Sequence, residues 1–339
     1  MLQLTLHTFD LPLKDTFTIS RKSVDVQPSL VVELSDGTHT GFGEATANAY
    51  YGMTVPRMLE IAESVRGLVE QHPLDRPEAL WHRLHARIGS FPFVQCALDE
   101  AAHDLFARQR GKRLYALWEL DPAAVPVSNY TIGIDTPERM VAKLRAFPWP
   151  VYKIKLGTDR DLELVRELRR WTDAPFRIDA NGGWTAAQTL AYAPELRALG
   201  VELLEQPLPA DDIAGMRRVR AASVLPVFAD ESCRVEADLD ACADLFHGVN
   251  LKLTKCGGLT PARRMIARAR TLGLRVMAGC MTESSVGISA LAHLAPLLDY
   301  VDMDGALLLR DDPATGVRVV PNGVVYAAGN GTGAALRAR

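Results

Sequence analysis

The chain has 339 residues, 48% hydrophobic and 23% charged, with a formal net charge of −3. That is the composition of an ordinary soluble globular protein, long enough for a barrel of roughly 200–250 residues plus a second unit. Near-balanced charge gives no electrostatic footprint for nucleic acid or anionic membrane, and no run approaches the ~18–20 apolar residues of a membrane span.

The N-terminal residues MLQLTLHTFDLPLKD alternate like a strand and lack the basic start and apolar core of a signal peptide. Five cysteines, odd in number and without a CxxC pair, fit a reduced, cytoplasmic compartment. The eight histidines form no HExxH or His-x-His, which argues against zinc. Thr5 to Phe9, Ser29 to Leu34 and Thr38 to Phe42 predict strands, with a turn at Ser35–Thr38. Residues 55 to about 118 predict helices, including VPRMLEIAESVRGLVEQ and FVQCALDEAAHDLFARQRG, the latter stopping at Gly111. Strands followed by helices imply a separate α+β unit over 1–120.

Beyond it the pattern becomes strand–helix alternation. Eight strands are expected over 121–310: VSNYTIGI, VYKIKLG, FRIDAN, ELLEQP, PVFADE, GVNLKLT, RVMAGCM and YVDMD. Most are apolar up to their last residues, as buried parallel strands require. Helices are expected at DLELVRELRRWT, TAAQTLAYAPELRALG, PARRMIARARTLG and SVGISALAHLAPLL. The segment 311–339 holds short strands, GVRVV and GVVYA, expected to pack back on the first unit.

Reactive side chains end these apolar runs at a steady spacing. Lys155, Asp179, Glu205, Asp230 and Lys252 follow one another at intervals of 24, 26, 25 and 22 residues. One strand, one helix and two loops consume that length, and barrel active sites sit at the C-terminal ends of the strands. Asp179, Glu205 and Asp230 would repel one another at one point without a cation. A few hard oxygen donors suit Mg²⁺. Any one of them alone reads more readily as a solvated loop acid than as a ligand.

Lys153 and Lys155 are two apart on a strand, so they share the interior face. Two close ammonium groups beside a dication disfavour each other's charge, so one is expected to stand neutral near pH 7 and act as a base. Lys252 lies across the barrel. A carboxylate held by the metal between two lysines loses its α-proton to one side and regains it from the other, the metal stabilising the enediolate. Lys255, in the same KLTK run, reads as a solvated residue beyond the strand end. Asp302 and Asp304 share a face at the eighth strand and suit a substrate ammonium; the alternative is a turn acid pair before Gly305.

Taken together, KIKLG, DANGGW, EQP, ADES, KLTKCGG, GCMTESSVG and DMDG resemble the enolase superfamily, in its muconate-lactonising-enzyme subgroup, and most of all the dipeptide epimerases. The motifs cover residues 150–305; SRKS and GFGEATA extend the likeness into the first unit. The resemblance implies an α/β fold, a modified TIM barrel of (β/α)7β type with an N-terminal α+β capping domain, and one Mg²⁺ per subunit. It makes Asp179, Glu205 and Asp230 the metal ligands, and Lys155 and Lys252 the two bases. Lys153 holds the substrate carboxylate, and Asp302 and Asp304 bind the dipeptide ammonium. Thr131, Cys280, Met281 and Thr282 match further substrate contacts.

The implied partner is a small dipeptide, with no nucleic acid or membrane, and a homo-oligomer is the default for such enzymes. Two capping-domain loops, FTISRKSVD (17–25) and ANAYYGM (47–53), are expected to close over the second side chain. There Arg21 either pairs with a glutamate or points to solvent. Tyr50 and Tyr51 favour an apolar residue if they face in. Two alternatives stand beside this reading. One is an N-acylamino acid racemase or o-succinylbenzoate synthase of the same subgroup, whose substrates lack an ammonium. The other is a barrel that binds without catalysis.

Overall fold

Alternating and β-branched sequence over Gln3–Ile19 (β1) and Lys22–Ser35 (β2) builds two long antiparallel strands, paired at one end Gln3 with Ser35 and at the other Ile19 with Lys22. The structure, a computed structural model, describes residues 1–19 and 22–338. Residues 17–19 and 22–25 were expected in a loop. They are instead the two arms of this hairpin, with a register shift between Pro12 and Phe17. The β-branched and aromatic residues Phe17, Thr18, Ile19 and Val24 carry the pairing beyond the interruption at Pro12.

Thr40–Thr46 (β3) completes the sheet, starting two residues later than expected because Ser35 to His39 close a turn around Asp36. Helix Pro92–Gln109 lies directly on β3. A Cβ on Gly41 would come within 2.3 Å of the Leu105 nitrogen, and one on Gly43 within 2.1 Å of the Ala97 oxygen, so only glycine permits this approach. Leu30, Val32 and Leu34 of β2 pack with Leu98, Ala101 and Leu105 of the helix. Each such leucine or valine, fully buried, contributes ~1.5–3 kcal/mol.

Eight parallel strands form the second sheet: Tyr130–Ile132 (β4), Tyr152–Lys155 (β5), Phe176–Asp179 (β6), Val201–Glu205 (β7), Val227–Ala229 (β8), Gly248–Leu251 (β9), Arg275–Gly279 (β10) and Tyr300–Asp302 (β11). They pair in sequence order, and a parallel bridge between Ser128 and Val301 closes the ring. A helix follows each of the first seven strands and only a short 3-10 turn, Gly305–Leu308, follows the last, which is the expected (β/α)7β barrel. The outward residues, among them Ile154, Ile178, Val249 and Val276, pack against the helices as one large core.

Inside the barrel, residues two apart stack in layers. Leu203, Phe228, Met277 and Tyr300 plug the N-terminal end. Glu205, Asp230, Gly279 and Asp302 follow them on the same faces, because side chains of i and i+2 point alike. A Cβ on Gly279 would come within 2.9 Å of the Asn250 amide, so glycine leaves room for that side chain.

After the barrel, Arg318–Val320 and Gly323–Val325 form a hairpin, and Ala314–Thr315 pairs with Ala335–Leu336. This segment touches both units. Arg108 donates to the Ala334 oxygen and the Thr332 amide to Asp104, while His293 meets the Thr332 oxygen.

Candidate active site

The mouth of the barrel opens into a cavity of about 420 Å³. Lys153, Lys155, Thr131, Asp230, Lys252, Cys280, Met281, Thr282, Asp302 and Asp304 line it from the barrel. Phe17, Ile19, Lys22, Val24, Thr46, Asn48, Tyr50 and Tyr51 line it from the capping sheet and the loop that follows. Arg21 lies outside the described residues.

Asp179, Glu205 and Asp230 end three neighbouring strands or directly follow them. One carboxylate oxygen from each lies within 4.8 Å of the others, and all three are buried. Lys153 Nζ reaches Glu205 Oε2 at 2.8 Å, Asp302 Oδ2 at 2.7 Å and Asp179 Oδ2 at 3.2 Å. The Glu205 Oε2 contact is an ion pair without good hydrogen-bond direction, so that buried oxygen keeps a free lone pair. Asn250 Nδ2 donates to Glu205 Oε1 at 2.8 Å. Lys155 Nζ lies 2.5 Å from Asp179 Oδ2, and Lys252 Nζ 2.8 Å from Asp230 Oδ2. The two lysines therefore flank the acidic triad, one on each outer carboxylate.

Charge follows this pairing. Burial works to raise Asp179 and Asp230, but the lysines outweigh it and hold both carboxyls below the usual range. Burial and Asp179 push Glu205 the other way, up to about 8. Burial opposes the charge of Lys153 and Lys252 too, yet the carboxylates around them raise both. Of the pair in which one neutral lysine was expected, Lys153 has Asp302, Glu205 and Asp179 as partners, and among the protein's own groups these anions stabilise its ammonium.

Lys255 departs most from expectation. β9 ends at Leu251, and the one-turn helix Leu253–Cys256 swings the Lys255 side chain back under the site. Far from being solvated, it is 2% exposed and donates to Asp230 Oδ1 at 2.6 Å, to the Asp230 oxygen at 2.5 Å, to the Cys233 oxygen at 3.0 Å and to the Asn250 oxygen at 3.2 Å. The helical turn, absent from a strand reading of KLTK, is what changes its direction.

Asp302 and Asp304 are both buried at the cavity wall but differ in their partners. Asp302 accepts from Lys153 and, at 2.7 Å, from Asn129 Nδ2; burial opposes its charge, and Lys153 lowers it overall. Asp304 accepts from the Thr131 amide, and burial together with Asp302 raises it to about 7. Cys280 Sγ accepts from the Gly305 amide at 3.3 Å, which ties the Cys280–Thr282 segment to Asp304's own loop.

Sequence reasoning passed over three buried amides. Asn129 and Asn250 sit two residues before Thr131 and Lys252, so the alternation rule would have found them. Gln206 has a left-handed backbone, φ 34°, as does Asn181, φ 45°. Such residues are uncommon outside glycine. The Gln206 side chain accepts from the Asp230 and Ser232 amides and donates to the Leu208 oxygen and Ser232 Oγ, which sets the turn that presents Asp230.

Buried acids and lysines converging on the C-terminal mouth of a parallel (β/α)7β barrel define an acid–base barrel enzyme. Residues 137–339 match the family described as Enolase C-terminal domain-like. The chain is 54% identical over 335 residues to the L-Ala-D/L-amino acid epimerase of Flavobacterium johnsoniae, an alignment covering 99% of this chain and 100% of that one. It is 53% identical over 336 residues to the protein of the same name from Maribacter sp., covering 99% of each. The crystal structure of a dipeptide epimerase from Enterococcus faecalis, complexed with Mg and L-Leu-L-Tyr, superposes with a TM-score of 0.92 at 27% identity, covering 98% of both chains. The chain belongs to the enolase superfamily, among its dipeptide epimerases, and its enzyme class is that of the isomerases.

Proposed function

We propose that this protein is a Mg²⁺-dependent dipeptide epimerase that inverts the α-carbon of the C-terminal residue. The observation that carries the reading is the placing of Lys155 and Lys252 on opposite outer carboxylates of one buried acidic triad, in a cavity that also holds Asp302 and Asp304.

The donor set fits the ion. Three buried carboxylates within 4.8 Å, one with an oxygen that lacks a directed hydrogen bond, are a hard-oxygen site that needs positive charge. When bound by Asp179, Glu205 and Asp230, one Mg²⁺ would offset the negative charge that grows on the substrate carboxylate as the α-proton leaves. Lys153 would steady that carboxylate as a fixed cation. Lys155 would take the α-proton from one face and Lys252 deliver one to the other, their roles exchanging with the substrate's configuration. Asp302 and Asp304 would hold the dipeptide ammonium, with Thr131 and the Cys280–Met281–Thr282 segment completing that end.

The wall offered by the capping sheet and its following loop suits uncharged second side chains. Phe17, Ile19, Val24 and the half-buried Tyr51 present apolar surface there, and Tyr50 packs edge-on against Tyr51 at 4.9 Å. A second residue of the Leu, Met or Phe kind follows. The division into a capping unit over 1–120, a barrel over 121–310 and a returning tail over 311–339 belongs to the same proposal, as do a cytoplasmic setting and a symmetric oligomer.

Chiral chromatography of L-Ala-L-X dipeptides incubated with enzyme and Mg²⁺ tests the proposal. Appearance of the L,D isomer supports it. Turnover of N-succinyl amino acids with inert dipeptides would transfer the site to the N-acylamino acid racemases.

A further inference from the structure

The capping unit reaches the barrel through a buried carboxylate that is not part of the acidic triad. Glu44 of β3 is wholly buried, and its oxygens accept from barrel residues some 240 positions away. The Ser284 amide lies 3.1 Å from both oxygens, Ser284 Oγ 2.5 Å from Oε2 and the Gly287 amide 3.1 Å from Oε2. Ser29 Oγ of the neighbouring strand adds a fourth donor at 2.6 Å. These barrel groups begin helix Ser285–Leu294, whose first amides have no partner within the helix. An acid from another unit here satisfies the Ser284 and Gly287 amides, while the Ser285 amide goes to Asp312 and the Val286 amide to Ser284 Oγ, and it meets the positive end of the helix dipole.

The same short stretch of chain carries the cavity wall. Thr282 is two residues before Ser284, and Glu283 Oε1 accepts from the Met281 amide at 3.1 Å, folding the turn between them. On the cap side, Thr46 follows Glu44 by two residues and lines the cavity, and Asn48 Nδ2 meets Met281 Sδ at 3.8 Å. The cap therefore holds this stretch of chain twice, through Glu44 of β3 at Ser284 and Gly287 and, two residues beyond β3, through Asn48 at Met281.

We propose that Glu44 is a positioning residue: it fixes the spacing between the cap wall and the Cys280–Thr282 wall of the cavity, and so sets how well substrate is held rather than how fast protons move. Glu44 touches none of the triad, the lysines or the cavity. The inference rests on the epimerase reading for its kinetic consequence alone.

The test compares Glu44→Ala and Glu44→Gln with Asp104→Asn. Asp104 is an equally buried cap carboxylate, but it serves the Phe42 and Thr332 amides, away from the cavity. Glu44→Ala is expected to raise the dipeptide KM roughly tenfold with kcat within about twofold, because small displacements of positioning groups are costly. Glu44→Gln, which keeps one acceptor, should fall between it and wild type and serves alone if the alanine variant does not fold. Asp104→Asn should lower the melting temperature with KM unchanged. An unchanged KM in both Glu44 variants, or an equal rise in Asp104→Asn, would overturn the proposal. If wild-type protein epimerises no dipeptide, that failure belongs to the functional reading, and amide hydrogen exchange then decides. Faster exchange over 280–287 in Glu44→Gln but not in Asp104→Asn supports the positioning role; equal exchange overturns it.

Discussion

Lys255 holds Asp230 from beneath, Nζ to Oδ1 at 2.6 Å, while Lys252 holds the other oxygen of the same carboxylate from the cavity side. One acid thus has a separate cation for each oxygen. Only Lys252 faces the cavity; Lys255 is sealed away from it. The two lysines of KLTK have different duties, one exposed to whatever binds and one structural.

Replacing Lys255 by Met removes the cation and leaves the Asp230, Cys233 and Asn250 oxygens without their shared donor. Breaking a buried ion pair from one side costs ~3–5 kcal/mol. Urea denaturation should show a loss of that order in Lys255→Met, and calorimetric titration should show weaker Mg²⁺ binding as Asp230 loses its orientation. Unchanged stability would mean that the pocket around Lys255 is not closed.

Asp304→Asn is the cleaner probe of ammonium binding, because Asp302 is already committed to Lys153 and Asn129. Losing one charge-assisted contact worth about 3 kcal/mol would lower kcat/KM for dipeptides roughly 100-fold. Any N-succinyl substrate, which has no ammonium, should be unaffected. Steady-state kinetics on both substrate types checks this.

Mg²⁺ should stabilise the fold as well as support turnover, since the triad concentrates buried negative charge. At a concentration 100 times its dissociation constant, binding to the folded state alone adds about 2.7 kcal/mol. Thermal melts with Mg²⁺ and with chelator should separate accordingly, and Glu205→Gln should abolish the separation.

His293 gives a pH signature independent of the site. It is 1% exposed, with Nδ1 accepting from the Tyr115 amide at 3.0 Å and Nε2 facing the Thr332 oxygen at 3.2 Å. Protonation would set two N–H groups against each other at Nδ1. Burial chiefly lowers its pKa to about 4. The unfolded chain, with a histidine near 6.5, then takes up the proton first, so this contribution is complete above pH 6.5 and is lost as pH falls towards 4. The loss is at most about 3 kcal/mol. Glutamine can accept and donate in the same directions, so His293→Gln should make the stability curve less steep over that window, which His103 and His247 share, and match wild type above it. Parallel curves would contradict the assignment.

The eight strands were legible because each is a short apolar run, six of them with a charged end, repeated at the period of a strand–helix unit. The sharing of an interior by Lys153 and Lys155 follows from the two-residue alternation alone. Lys255 was not legible, because one helical turn after Leu251 breaks that alternation and nothing in KLTK announces the turn. The hairpin at 17–24 was not legible because FTISRKSVD resembles a closing loop of the capping domain, whereas its pairing resumes at Phe17 after the register shift. Glu44 on Ser284 joins residues 240 apart, a contact that no local pattern encodes.

The central claim, that Lys155 and Lys252 serve opposite faces of one α-carbon, is tested most directly by proton exchange in Lys155→Ala and Lys252→Ala. Each variant, with Mg²⁺ in D₂O, is given an L-Ala-L-X dipeptide and separately its L,D isomer, and α-deuterium is followed by NMR. Removing one acid–base group lowers epimerisation by about 10²–10⁴-fold. Each variant should nonetheless exchange the α-proton of one isomer without inverting it, and the two variants should differ in which isomer that is. Exchange of both isomers by the same variant, or of neither by both, would contradict the two-lysine account.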